Sequence, residues 1–236
     1  DSSVTEDTVM RDVTTQAPAI SDIRFLVTGA CGFIGSWVTK QLLDRGFEVT
    51  AYDIVDRSDR QSLVLSAAEL KRIHRVRGDI NDTALLVRTI RKVSVSHVIH
   101  TAGLQTPECR DRPIAGATVN VAGTLSVFEA VKACRDRVTS VAYASSGAVL
   151  GGDGPDASPL PDAAPRTPGT IYGVFKTANE ECARIYWQDE GIRSVGLRPP
   201  VVYGVGRDQG LTAGTTLAIR AALFGRPCEI AFSGPA

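Results

Sequence analysis

The sequence predicts an α/β fold, a doubly wound parallel sheet with helices on both faces. Three observations lead there. Short apolar runs of strand length alternate with helix-length segments along most of the 236 residues. The first run, Arg24–Thr28, leads straight into a turn and a helix, with Gly29, Gly32 and Gly35 spaced at intervals of three. The residues best suited to chemistry fall at the ends of successive predicted strands, the edge where such sheets bind ligands.

Residues 1–21 are polar, acidic and aperiodic, and read as a tail outside the fold. In the first strand, Leu26 and Val27 suit a central position covered on both faces. A glycine at the turn permits positive φ, and a missing side chain lets backbone approach a ligand. A third glycine, one turn into the helix, lets that helix pack close to its strand. The N–H groups that open the helix, at Phe33 and Ile34, lie at the positive end of its dipole and suit a phosphate. This helix, 33–45, carries Ile34, Val38 and Leu42 on one face, and Gly46 stops it.

Glu48–Asp53 reads as a second strand ending in an acid. A polar loop with Arg57 and Arg60 leads to a short helix at 67–71, and 73–77 is a third strand running into Gly78-Asp79-Ile80. Asn81 or Asp82 caps a helix at 83–92. His97–His100 is a fourth strand, ending in Thr101-Ala102-Gly103. A loop with Pro107 and Pro113 precedes a long helix at 117–135, and 138–143 is a fifth strand ending in Ala144-Ser145-Ser146. An irregular Pro/Gly/Asp-rich loop covers 151–168. A helix at Ile171–Glu190, a strand at 193–197, a break at Arg198-Pro199-Pro200 and a helix at 212–224 complete the chain.

Composition narrows the function. A hydrophobic fraction of 43% supports a sizeable core. Lys plus Arg balances Asp plus Glu at 26 each, so no net field draws the chain to nucleic acid or to a membrane surface. No apolar run is read as long enough to span a bilayer, and no secretory pattern opens the sequence. Cys31, Cys109, Cys134, Cys182 and Cys228 are scattered, without a C-x-x-C pair. That pattern points to reduced thiols and a cytoplasmic setting rather than a disulfide framework or zinc site. His97 and His100 have no evident partner, so no metal site is expected.

A carboxylate at the end of the second strand, Asp53, suits the ribose hydroxyls of a dinucleotide. It would repel a 2′-phosphate, which favours NAD over NADP, although Arg57 and Arg60 nearby pull the other way. Tyr172 and Lys176 are four apart and share a helix face. An ammonium beside a phenol stabilises the phenolate and brings its pKa toward neutrality, as acid–base work requires. Ser146, ahead of Ser145, is placed to hold a reacting oxygen. A surface Tyr/Lys pair and two turn serines are the plain alternatives. Arg110, Arg112 and Arg207 suit a carboxylate or phosphate clamp, but each reads first as a solvated arginine.

Taken together, TGACGFIGS, GDI, VIHTAG, TVNVAGT, ASSGAVLGG, YGVFK and RPPVVYG resemble the extended short-chain dehydrogenase/reductase family, nearest its NAD-dependent epimerase/dehydratase branch. The resemblance implies a Rossmann-like NAD-binding domain over 22–200 and the start of a small C-terminal substrate lobe over 201–236. It implies Tyr172 as acid/base, Lys176 as its partner and nicotinamide-ribose ligand, Ser146 as donor to the substrate oxygen, and Asn120 as a structural and proton-relay residue. It further assigns Asp79 and Ile80 to the adenine and Ala102 and Gly103 to the cofactor beyond the fourth strand. The substrate implied is a small molecule, a sugar or sugar derivative, and the helices at 117–135 and 171–190 are implied as a homodimer face.

Two departures matter. Ser146-Gly147-Ala148 replaces the Thr-Asp-Glu of the dehydratases, which argues against elimination chemistry. Arg198-Pro199-Pro200-Val201 lacks the asparagine that UDP-sugar epimerases often carry after the arginine. A UDP-sugar 4-epimerase proper and a non-catalytic NAD-binding sensor or scaffold therefore stand as the alternatives. The Ser146, Tyr172 and Lys176 set argues against the scaffold, since binding alone does not need it.

Overall fold

A computed structural model of the chain describes residues 22–151, 161 and 164–229. The tail expected at 1–21, much of the loop expected at 151–168 and the last residues of the expected lobe lie outside the described residues. The strands are β1 (Arg24–Thr28), β2 (Glu48–Asp53), β3 (His74–Arg77), β4 (His97–His100), β5 (Ser140–Ala144) and β6 (Ser194–Leu197). They form one sheet in the order β3-β2-β1-β4-β5-β6, and every neighbouring pair is parallel. Chain order reverses between β1 and β4, so a crevice opens there at the strands' carboxyl ends.

Successive residues of β1 face opposite layers, as strand geometry requires. Leu26 joins a core with Leu86 and Ile90 of α3 (Thr83–Val93) and Phe128 and Val131 of α6 (Gly123–Ala133). Ala183 of α7 (Ile171–Glu190) closes that core. Val27 faces the other way, onto Leu42 and Leu43 of α1 (Phe33–Asp44), with Leu65 and Ile73 flanking α2 (Ala67–Arg72). A sheet buried on both faces is the reason β1 reads as a continuous apolar run.

The structure corrects three expectations of local order. The buried face of α1 is Gly35, Ser36, Thr39, Leu42 and Leu43, whereas Ile34 and Val38 are only half-buried. Small residues there bring the helix close enough to the sheet to rotate that face inward. The segment expected as a loop holds two short helices, α4 (Thr106–Asp111) and α5 (Pro113–Ala117), each with a proline in its first turn, where no N–H partner is lost. The long helix thus begins at Pro113 and passes through a π turn at Thr118–Ala122 before α6. Other element ends shift by a residue or two. A final helix, α8 (Gly214–Leu223), lies past β6.

The span Pro113–Ala133 is as long and apolar as a membrane-crossing helix, with a mean hydropathy of 1.4, contrary to the expectation that no run reaches that length. Here it is a layer helix, and Val127, Phe128 and Val131 pack into the sheet core.

At Gly29 three stretches of backbone meet. Its φ is +67°, and a Cβ there would lie 2.6 Å from the Ala102 nitrogen. Gly46 has φ +83° and open space around it. Gly46→Ala therefore carries only conformational strain, about 1 kcal/mol, whereas Gly29→Ala adds overlap with rigid backbone and costs about 3 kcal/mol. Urea denaturation of the two variants checks this, and equal losses would show that space at Gly29 is not limiting.

Candidate active site

The turn after β1 forms a cradle of bare backbone. A Cβ at Gly35 would sit 2.2 Å from the Gly29 carbonyl oxygen, and one at Gly32 would sit 3.1 Å from the same atom. Gly32 caps α1 with extended backbone and no side chain, and no acid lies in the first helical turn. The N–H groups of that turn and the positive end of the helix dipole therefore face the crevice without a competing anion. Asp53 braces the turn, for its carboxylate accepts the Cys31 N–H at 2.9 Å and the Val55 N–H at 3.2 Å. It sits at the end of β2 where the sequence put it, with lone pairs to spare.

Ser146, Tyr172, Lys176 and Gly103 line one cleft of about 350 Å³ together with Gly29, Gly32, Phe33, Ile34 and Gly35. Residues far apart in sequence meet there because β1, β4 and β5 end side by side and α7 crosses above them. The other expected site residues lie outside the cleft lining. Asp79 accepts bonds from the Asn81 backbone and side-chain amides at 2.9 and 3.0 Å. Ile80 turns its side chain into the core against Gly123. Ala102 is the backbone that Gly29 abuts.

Asn120, 1% exposed, sits in the π turn. Its amide holds both backbone groups of Leu104, accepting the N–H at 2.8 Å and donating to the carbonyl at 3.0 Å. Its Nδ2 also points to Cys109 Sγ at 3.1 Å. A π turn offsets the helix by one residue, which turns Asn120 toward the loop after β4. Beside it Gly103 leaves no room for a side chain, since a Cβ would lie 2.8 Å from Asn120 Oδ1.

Lys176, 5% exposed, donates from Nζ to the Ala144 carbonyl at 2.7 Å and lies 5.6 Å from the centre of the Tyr172 ring. Burial pulls its pKa down to about 8. The expected fall in the Tyr172 pKa does not occur in this chain alone. Burial pushes the phenol up, and this outweighs the Ser146 hydroxyl, which favours the phenolate. Ser146 also accepts the Ala148 N–H at 3.2 Å.

Ser145 has a different task, donating to Glu180 Oε1 at 2.6 Å. Glu180 also takes a two-pronged bond from Arg198 at 2.8 and 2.6 Å and a third contact from Arg166 at 3.2 Å. The carboxylate thus ties the end of β5, the residue after β6 and the segment before α7 to the helix that carries Tyr172 and Lys176. Sequence reading missed Glu180. Its signal was present, an acid four residues beyond Lys176 on the same face, with Arg198 at a strand end. Arg207, read as solvated, in fact lines the cleft, and Arg60 of the loop after β2 reaches across to Asp208 at 2.7 Å.

His100 is a core histidine. It bonds Thr28 Oγ1 at 2.7 Å and Thr124 Oγ1 at 3.1 Å, and burial, with Lys176 nearby, pushes its pKa down to about 3. Among the described residues no cluster of three metal-ligating side chains occurs.

A sequence profile of the NAD dependent epimerase/dehydratase family matches residues 25–235. The chain belongs to that family. It is 32% identical over 232 residues to a UDP-glucose 4-epimerase of Azospirillum brasilense, covering 95% of this chain and 62% of the relative. It is 33% identical over 192 residues to UDP-glucuronate 4-epimerase 1 of Arabidopsis thaliana, covering 77% of this chain and 43% of the relative. The crystal structure of a Thermus thermophilus UDP-glucose 4-epimerase complexed with NAD matches with a TM-score of 0.72 at 28% identity, over 87% of this chain and 64% of that one. The chain spans less than two thirds of the length of these relatives.

The Glu180 network yields a pH-dependent prediction. Burial raises the carboxyl pKa, but the bonds from Arg198, Ser145 and Arg166 outweigh it and hold it below the ordinary value. Its stabilisation is complete above the unfolded carboxyl pKa of about 4.3 and is lost as pH falls through the folded value. Glu180→Gln is expected to cost about 3 kcal/mol at pH 7, with the gap from the parent closing below about pH 4. Denaturation across a pH series measures it, and a gap independent of pH would deny the network its charge.

Proposed function

We propose that this protein is an NAD-dependent oxidoreductase or epimerase of the extended short-chain dehydrogenase type. It moves a hydride at a hydroxyl-bearing carbon of a sugar or sugar-derived substrate. The observation that carries this reading is the meeting of Ser146, Tyr172 and Lys176 in one cleft with the glycine cradle of α1. The cradle fits a dinucleotide, because its glycines leave backbone bare where a Cβ would intrude and no side chain caps the helix.

In this reading Gly29, Gly32, Phe33, Ile34 and Gly35 hold the diphosphate and Asp53 the adenosine ribose. Asp79 and Ile80 flank the adenine, and Ala102, Gly103, Tyr172 and Lys176 hold the nicotinamide half. Bound NAD supplies a hydride acceptor and donor. Tyr172 Oη takes the hydroxyl proton as the C–H bond breaks and returns it in the reverse direction. Ser146 orients the reacting oxygen. Lys176 steadies the phenolate electrostatically, and Asn120 holds the loop that walls the nicotinamide side. A ketone that stays bound and regains hydride on its other face gives epimerisation, and one that leaves gives dehydrogenation. NAD is preferred to NADP because Asp53 is acidic and Arg60, one of the two arginines able to favour a 2′-phosphate, is engaged by Asp208.

The relatives named above support a UDP-sugar 4-epimerase as the nearer alternative, while Pro199 at the position of the epimerases' asparagine weighs against it. The substrates in their names, UDP-glucose and UDP-glucuronate, differ in the charge of the sugar. A cytosolic setting suits the five free cysteines. A homodimer is part of the reading and rests on the exposed Ile171, Val174 and Ile185 of α7. A light-scattering mass of one chain would remove it.

Tyr172→Phe is expected to lower kcat by about 100-fold or more, followed by reduced-nicotinamide absorbance or product isomer ratio, while the NAD Kd rises by only a few-fold because the glycine turn and Lys176 still hold the cofactor. Unchanged turnover of a confirmed substrate would refute Tyr172 as the acid/base. Tighter binding of NADP than of NAD would refute the role of Asp53.

A further inference from the structure

The cleft is unevenly charged. Its lining includes Arg60, Lys176 and Arg207 but a single carboxylate, Asp208. That carboxylate is committed, because Asp208 Oδ1 accepts both Nε and Nη2 of Arg60, at 3.2 and 2.7 Å. Among the described residues no carboxylate pairs with Arg207. Its guanidinium lies 5.9 Å from the centre of the Phe33 ring, and its Nη2 donates to Thr212 Oγ1 at 2.7 Å. Its Nε is buried and has no acceptor among the described residues. Burial and the neighbouring Arg60 pull its pKa down, while Tyr172 and Asp208 act in the opposite sense. Arg207 is therefore a braced, half-buried cation with one buried N–H unsatisfied, within electrostatic reach of the Tyr172 phenol.

A half-buried guanidinium whose Nε has lost water without gaining an acceptor is costly, and such a site gains most from a carboxylate or phosphate presented in its plane. The diphosphate of a dinucleotide already has its own seat at the bare turn of α1. What remains for Arg207 is the group bound next to Tyr172, where the substrate sits. We infer that Arg207 is the specificity-determining residue of the substrate site and that the substrate is an acidic sugar, with a carboxylate close to the reacting carbon, rather than a neutral one. This inference rests on the proposed function for the position of the substrate.

The test uses the whole chain and binding rather than turnover. Titration calorimetry compares two pairs of probes differing in the carboxylate alone, UDP-glucuronate with UDP-glucose and free D-glucuronate with D-glucose. NAD is titrated separately. The parent is expected to prefer the carboxylate in at least one pair by about tenfold or more, as a bidentate charged contact warrants. Arg207→Gln is expected to abolish that preference while leaving the NAD and UDP-glucose affinities within about twofold. Arg207→Lys, which keeps the charge but loses the planar fork, should retain part of it. No carboxylate preference in either parent pair would overturn the inference. Equal weakening of NAD and both UDP-sugars by Arg207→Gln would also overturn it, assigning the arginine to a diphosphate or to folding. Failure of the parent to bind NAD would instead count against the proposed function, which separates the two.

Discussion

The site depends on how closely three pieces of backbone approach one another. Gly29 meets Ala102 from the loop after β4, and Gly35 meets Gly29 from within α1. These contacts leave no space for a methyl group. They set the height of the helix above the sheet, and so the position of its N–H groups in the crevice between β1 and β4. The inward rotation of α1 follows from the same constraint, since Gly35, Ser36 and Thr39 are the small residues that a close helix requires. Gly103 continues the pattern, because its bare backbone admits Asn120 and brings Lys176 Nζ within reach of the same edge.

Much of this was legible in the sequence. Parallel strands covered on both faces leave apolar runs, and the crossovers between them leave helix-length intervals, so the parallel, doubly wound sheet and the ligand edge followed from pattern. Ser146, Tyr172 and Lys176 were legible because each sits at a strand end or on one helix face. The helices at Thr106–Asp111 and Pro113–Ala117 were hidden because prolines that begin helices look like prolines that break loops. The raised phenol pKa of Tyr172 was hidden for another reason. Spacing reports that a lysine is near, whereas burial is a property of the whole assembled cleft. Glu180 was missed and Arg207 was weighed as a clamp but read first as solvated, for a charge on an exposed surface and a charge in a buried network have the same letter.

Glu180 shows how the fold braces α7, the helix of Tyr172 and Lys176, without adding itself to the lining of the cleft. A single carboxylate, with 9% of its side chain exposed, gathers Ser145, Arg166 and Arg198 from three separate segments. Ser145 and Ser146 are adjacent in the chain but divide the labour. Both border the cleft, but Ser145 donates to Glu180 and anchors the turn, whereas Ser146 is the hydroxyl beside Tyr172.

The segment that carries Arg207 is attached in a different manner. Trp37 Nε1 donates to the Val205 carbonyl at 2.9 Å, and Arg60 reaches Asp208, contacts that span 168 and 148 residues of chain. Each is exposed and worth about 1 kcal/mol or less, far below what holds a buried strand in place. The far wall of the cleft is therefore held by weaker ties than the sheet, and its amides are expected to exchange with solvent sooner than those of β1 and β4. The two sides of the cleft thus differ in firmness, one set by backbone packed against backbone and the other by a few exposed polar contacts.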